Sequence, residues 1–182
     1  MKTLMLTTLL AACGTGATTL DAGPGGTVDS GRALEAWERD ILLAHNSTRA
    51  AAMPAPSPAL EPFTWSATVA SAAQTWANRC VFEHNMQSGY GENLFASTAV
   101  SNAAAVITSW ADEAADYTYE TNTCTNGKVC GHYTQVVWRA TRELGCGKAT
   151  CTANSPFGGG GSWYLWVCDY APPGNYLGQK PY

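Results

Sequence analysis

The stretch "VCGHYTQVVWRAT", Val129 to Thr141, decides how the second half of the chain is read. From Cys130 onward its residues alternate: His132, Thr134, Val136 and Trp138 fall on one face, and Tyr133, Gln135 and Val137 on the other. A period of two predicts a strand, because successive Cβ atoms point to opposite sides of the pleat. Two more strands follow, "ELGCGKATC" (143–151) and "SWYLWVCDY" (162–170), joined through the glycine-rich "NSPFGGGGS". That turn has no lysine to hold phosphate, so it is not a P-loop.

Upstream the period changes to that of helices. Leu34, Trp37, Ile41, Ala44 and Thr48 recur at helical spacing after the candidate N-caps Asp29 and Ser30, and the pattern stops at "PAPSPALEP". A second helix from about Ser66 carries Val69, Ala73, Trp76 and Cys80 on one face. A third, about Ser97 to Tyr117, places Val100, Ala104, Ile107, Ala111 and Ala114 on a buried stripe, with Trp110 and Tyr117 on its flank. Glu113 projects beside that aromatic flank and is expected half-buried, whereas Asp112 and Asp116 face solvent. Helices followed by strands predict an α+β fold.

The chain has 182 residues, of which 46% are hydrophobic and 13% charged, enough for one domain with a continuous core. A net charge of −4 with scattered basic residues excludes the electrostatic footprint of a nucleic-acid binder. Met1-Lys2 followed by "TLMLTTLLAAC" reads as a signal peptide, and "LLAAC" resembles a bacterial lipobox that would lipidate Cys13 and anchor the protein to a membrane. Residues 1–13 are thus the export signal and 14–32, rich in Gly, Thr, Asp and Pro, a flexible linker. The folded domain is expected over 33–182.

Without Cys13 six cysteines remain: Cys80, Cys124, Cys130, Cys146, Cys151 and Cys168. An even set in an exported chain reads as three disulfides in an oxidising compartment, with the pairing left open. No C-x2-C spacing supports a zinc-cysteine cluster.

From Ala36 to Tyr182 the chain resembles the CAP superfamily of cysteine-rich secretory, antigen-five and pathogenesis-related proteins, or SCP-like domains, and most closely its plant pathogenesis-related branch. The resemblance rests on "AHNSTR", "FTWSATVASAAQTWANRCVFEHN", "YGENLF", "SWADEAADY", "NTCTNGKVCGHYTQVVWRATRELGCGKATC" and "YLWVCDYAPPGNYLGQKPY". It implies a three-layer α-β-α sandwich with a cleft holding two histidines and two glutamates. These are His84 of "CVFEHN", Glu92 of "YGENL", Glu113 of "WADEAADY" and His132 of "GHYTQ". It also implies the pairs Cys80–Cys151, Cys124–Cys130 and Cys146–Cys168; by chain entropy the first stabilises by about 4 kcal/mol and the second by roughly 2. The family pattern has Asn where Asp169 stands in "CDY".

Two imidazoles and two carboxylates in one cleft suit Zn2+ or another divalent cation, with His84 and His132 as direct ligands and Glu92 and Glu113 as supports or water bridges. The competing reading is that each His and Glu only satisfy one another. In a metal-dependent hydrolase Glu92 or Glu113 would act as general base on a metal-bound water. No serine lies in a G-x-S-x-G elbow, however, and the six cysteines are committed to disulfides, so a catalytic role is the lesser reading.

His45 and Arg49 of "HNSTR" are read as a structural network tying the first helix to the core, and Tyr90, Gly91 and Asn93 as a turn presenting Glu92. The seven tryptophans are assigned to packing. The resemblance further implies binding of sterols, fatty acids or other lipids in an apolar cavity, and facing alanine-rich helices would leave room for one. The tail "PPGNYLGQKPY" is similar to a C-terminal defence-signalling peptide of plant members; its plainer role is to cover the sheet. The expected protein is an exported, lipid-anchored bacterial member with a non-catalytic binding role.

Overall fold

The computed structural model describes residues 32–182. The signal peptide, Cys13, nearly all of the linker and the candidate caps Asp29 and Ser30 lie outside the described residues. The first helix, α1 (Ala36–Ala50), is instead started by Glu35, whose side chain and that of Glu38 form a reciprocal capping box. Strand β1 (Thr64–Trp65) leads into α2 (Ala67–Ala77). Then come β2 (Gly91–Ser97), α3 (Ala103–Ala111), a 3-10 turn (Asp112–Asp116), the short pair β3 (Tyr117–Thr118) and β4 (Thr123–Cys124), α4 (Gly131–Val136), β5 (Glu143–Cys151) and β6 (Trp163–Ala171).

The main sheet has the order β1-β5-β6-β2, antiparallel except for the parallel β1–β5 pair. Strict alternation along β5 and β6 divides the core in two. Leu144, Cys146, Trp166, Cys168 and Tyr170 join Ile41, Val106, Val136 and Val137 in one cluster, on the side of α1, α3 and α4. Leu94, Leu165 and Val167 join Ala73 and Ala77 of α2 in the other. The result is an α-β-α sandwich with disulfides Cys80–Cys151, Cys124–Cys130 and Cys146–Cys168.

Four expectations are corrected. The Val129–Thr141 stretch is not a strand but contains α4. Val136 and Val137 are both fully buried, which one face of a half-buried strand cannot do with adjacent residues. Tyr133, Val136 and Val137 instead share a helical face, and over so few residues the two periods coincide. "YGENLF" is not a turn: it forms the edge strand β2, registered against β6 from Gly91 opposite Tyr170 to Ser97 opposite Tyr164. Gly91 is required by close approach rather than by backbone freedom, since a Cβ there would stand 2.8 Å from Gln135 Cδ.

The third helix is shorter than its pattern and turned about its axis. Asn102 Oδ1 accepts from Ala105 N, which fixes the start at Ala103 and buries Ala103, Val106, Ile107 and Trp110. Val100 is left 79% exposed. Finally, the C-terminal segment does not cover the sheet. It lies against α4 and the β3–β4 hairpin: Asn175 Nδ2 donates to Gly131 O, Asn122 Nδ2 to Gln179 O, and Arg139 N to Pro181 O.

The remaining helical readings hold in part. Val69 and Ala73 face inward from α2, but the helix ends at Ala77 and Cys80 lies beyond it at φ +53°. Five tryptophans are buried (Trp65, Trp110, Trp138, Trp163 and Trp166), while Trp37 and Trp76 are half-buried.

Candidate functional site

The edge strand β2 and the short helix α4 meet through Asn93. This buried side chain donates to His132 O at 3.1 Å and to the Tyr170 hydroxyl at 3.0 Å. On one side of that junction His84 Nδ1 lies 2.8 Å from Glu92 Oε1, which also accepts from Asn85 N at 3.0 Å. On the other, His132 Nδ1 lies 2.5 Å from Glu113 Oε1. Glu113 Oε2 accepts from the backbone N–H groups of His132 and Tyr133, at 2.9 and 3.1 Å.

Glu113 thereby satisfies two donors at the start of α4 and orients the imidazole that follows. This carboxylate is the local reason that "GHYTQV" turns helical. The His132 ring is also stacked on Trp110, 6.0 Å between centroids.

The four residues implied by the resemblance thus form two His–Glu pairs. A pocket of about 330 Å³ beside the first is lined by His84, Asn85, Met86, Gly89, Tyr90, Glu92 and Pro173; the second pair does not line it. Each imidazole turns Nδ1 to a carboxylate and leaves Nε2 as its other ring nitrogen. The hydrogen bond to Glu92 raises the His84 pKa above the ordinary imidazole value. Among the described residues no three His, Cys, Asp or Glu side chains form a group that could hold a metal ion.

Asp169 had no role beyond its departure from the family pattern. It stands directly opposite Glu92 in the β2–β6 ladder, so both side chains project from the same face. Asp169 is 1% exposed, and its Oδ1 and Glu92 Oε2 are buried without a hydrogen-bond partner among the described residues. Burial, then the charge of Glu92, pushes the Asp169 pKa up to about 8. Burial thus favours the protonated form of Asp169 at neutral pH.

His45 and Arg49 occupy no site of this kind. His45 is fully buried between Ile41 O (2.7 Å, Nδ1) and the Tyr170 hydroxyl (2.8 Å, Nε2). Arg49 donates to Val136 O, Trp138 O and Glu61 O, tying α1 to the chain on both sides of the core. Burial, followed by the charges of Arg142 and Arg139, brings Arg49 down to about 10, and burial brings His45 down to about 4. They are the network expected from "HNSTR".

A second concavity lies between α1 and the end of α3. Ser47, Thr48, Ala51 and Met53 form one wall and Ala111 and Ala114 the other, with Tyr133 as floor and a volume of about 410 Å³.

Residues 42–170 match the model of the cysteine-rich secretory protein family, CAP. The chain is 40% identical over 145 residues to pathogenesis-related leaf protein 4 of Solanum lycopersicum, covering 79% of this chain and 82% of that protein. It is likewise 40% identical over 149 residues to pathogenesis-related protein 1A of Nicotiana tabacum, with 80% of each covered. Among solved structures it is similar to Schistosoma mansoni venom allergen-like protein 4, with a TM-score of 0.64 and 28% identity over 82% of this chain and 95% of that one. NaASP2, solved with Zn2+, gives a TM-score of 0.61 and 29% identity over 87% and 90%. Sandwich, disulfides and sequence agree, and the chain belongs to the cysteine-rich secretory protein (CAP) family, with pathogenesis-related relatives.

Proposed function

We propose that this protein is an exported, non-catalytic lipid binder whose ligand lies in the α1–α3 groove. One observation carries the reading: at the C-terminal ends of the two helices, Ala51, Ala111 and Ala114 face a concavity of about 410 Å³ instead of filling it. That volume falls in the range of about 300–1,000 Å³ typical of small-molecule sites. Met53, 73% exposed at its rim, gives a flexible apolar side chain that adapts to an acyl chain or a sterol ring. Three disulfides fit an extracellular protein, and lipidation at Cys13 would hold the groove near a membrane.

Bulk placed in the groove should abolish binding without unfolding the domain, because Ala51 and Ala114 are exposed and Phe there displaces no core atom. The protein is expected to bind a radiolabelled fatty acid or sterol saturably, and the Ala51→Phe, Ala114→Phe double variant to bind at least about tenfold more weakly. Equal binding by both proteins, or none by either across both ligand classes, removes the groove as a lipid site.

A second reading concerns a divalent cation. It is supported by the two His–Glu pairs, whose carboxylates orient the imidazoles as in supported metal sites, and by the Zn2+ in the related NaASP2 structure. His84 and His132 would supply the nitrogen donors, and the ion would supply a Lewis acid; water would complete its coordination. Calorimetry with Zn2+ is expected to give saturable heat that disappears in the His84→Ala, His132→Ala variant. Unchanged affinity there would assign the ion elsewhere.

A further inference from the structure

On the α1 side of the sheet, at the end away from the lipid groove, four residues of neighbouring strands form a rectangle. Lys148 is opposite Trp166, and Thr150 opposite Tyr164. With Val100 and Ser101 from the loop before α3 they line a concavity of about 300 Å³. Trp166 is buried and Tyr164 half-buried, while Lys148 and Thr150 are exposed.

The Lys148 ammonium lies 4.7 Å from the Trp37 ring centroid and 5.1 Å from that of Trp166. The two indoles fix its position, and their faces are the only partners it has among the described residues. A held ammonium without a carboxylate, in a protein of net charge −4, is a local site for an anion rather than a product of bulk charge.

What surrounds the ammonium selects the kind of anion. Ser101, Thr150 and Tyr164, all hydroxyl residues, line the same concavity; the Ser101 hydroxyl donates to Ala99 O at 3.3 Å and keeps its lone pairs, and Tyr164 adds an aromatic ring. A fatty acid would satisfy Lys148 but leave three hydroxyls against its chain. A pyranose acid meets both demands: its carboxylate pairs with Lys148, its hydroxyls with the three side chains, and its C–H face with the phenol ring.

We infer that this sheet face is a binding site for an acidic saccharide, recognised through Lys148, Thr150 and Tyr164. The site is independent of the α1–α3 groove, and the two can fail separately.

Calorimetric titration with trigalacturonate, its methyl ester and a fatty acid tests the assignment. The wild-type protein is expected to bind trigalacturonate saturably, and the uncharged ester about tenfold or more weakly. Lys148→Met, which still covers the two indoles, should lose the same factor with an unchanged near-UV spectrum, and Lys148→Arg should restore it. The Ala51→Phe, Ala114→Phe groove variant should bind the saccharide as wild type does. No binding by wild type, equal binding of acid and ester, or full binding by Lys148→Met each overturns the site.

Discussion

Replacing Asp169 by asparagine should raise the unfolding free energy at pH 8 by roughly 5 kcal/mol while leaving it nearly unchanged at pH 4. The native acid has a pKa of about 8 against 3.8 for an unburied aspartate. Between those values the folded protein holds a proton that the unfolded chain has released, so stability falls as pH rises, by up to about 1.4 kcal/mol per unit. Asparagine carries no such debt, and its amide N–H can donate to the orphaned Glu92 Oε2.

His45 gives this prediction a characteristic shape. Its pKa of about 4, against an ordinary 6.5, means that the unfolded chain takes up a proton first as pH falls. The His45 contribution is therefore full above pH 6.5 and lost down to about pH 4, the opposite slope to that of Asp169. In wild type the two oppose each other from about pH 4 to 6.5, and the Asp169 decline continues to pH 8. In Asp169→Asn the rise from about pH 4 to 6.5 is uncovered and the Asp169 part of the later decline disappears. His84, raised by Glu92, loses its contribution as pH rises through its folded pKa in both proteins and leaves the difference intact. Urea unfolding at unit pH intervals measures both curves. Parallel curves would mean that Asp169 is ionised in the folded protein and that its surroundings accept the charge.

The first two helices and the two long strands were legible because their burial repeats over enough residues to separate one period from another. "SWYLWVCDY" reads as a strand on any window, and β6 is buried nearly from end to end. "GHYTQVV" was not legible in this way, since what makes it helical is a carboxylate nineteen residues earlier, Glu113, accepting the N–H groups of His132 and Tyr133. Period alone could not reveal that partner.

The same distinction runs through the site. The residue types of both His–Glu pairs could be placed by motif; Glu113 is half-buried as expected, though in the 3-10 turn beyond α3, and Asp116, expected to face solvent, is half-buried too and lies 3.7 Å from the Lys128 ammonium. The meeting of Glu92 with Asp169 depends on β2–β6 register, which "YGENLF" read as a turn does not contain. The α1–α3 groove was legible only as small residues on facing helices. Which alanines line it, Ala111 and Ala114 rather than Ala104, follows from the Asn102 cap that sets the phase of α3.

Gly145→Ala is expected to be the most damaging single-methyl change in the domain. A Cβ at 145 would stand 2.5 Å from Val69 C and 2.6 Å from Ala70 Cα, and one at 147 would stand 2.8 Å from Ala73 C. All three are backbone atoms of α2, and no side-chain rotation can clear them. Nor can the helix move aside easily: Ser66 N donates to Leu144 O before its first turn, and Cys80 is bonded to Cys151 after its last.

The methyl group must therefore lift α2 from the sheet, opening the layer in which Ala73 and Ala77 are wholly buried against Leu165 and Val167. The expected loss is about 5 kcal/mol or more, beyond the 1–3 kcal/mol of ordinary overpacking because backbone, not a side chain, must yield. Gly160→Ala is the matched control. Nothing lies within 4 Å of its added Cβ, and a change of no more than about 0.5 kcal/mol is expected. Urea midpoints and near-UV spectra of the two variants decide the matter, and equal stabilities would mean that α2 is not clamped. Cys146, between the two glycines, faces the other layer and bonds to Cys168. The tripeptide Gly-Cys-Gly thus holds a helix at backbone contact on one face of β5 while crosslinking the strand to β6 on the other.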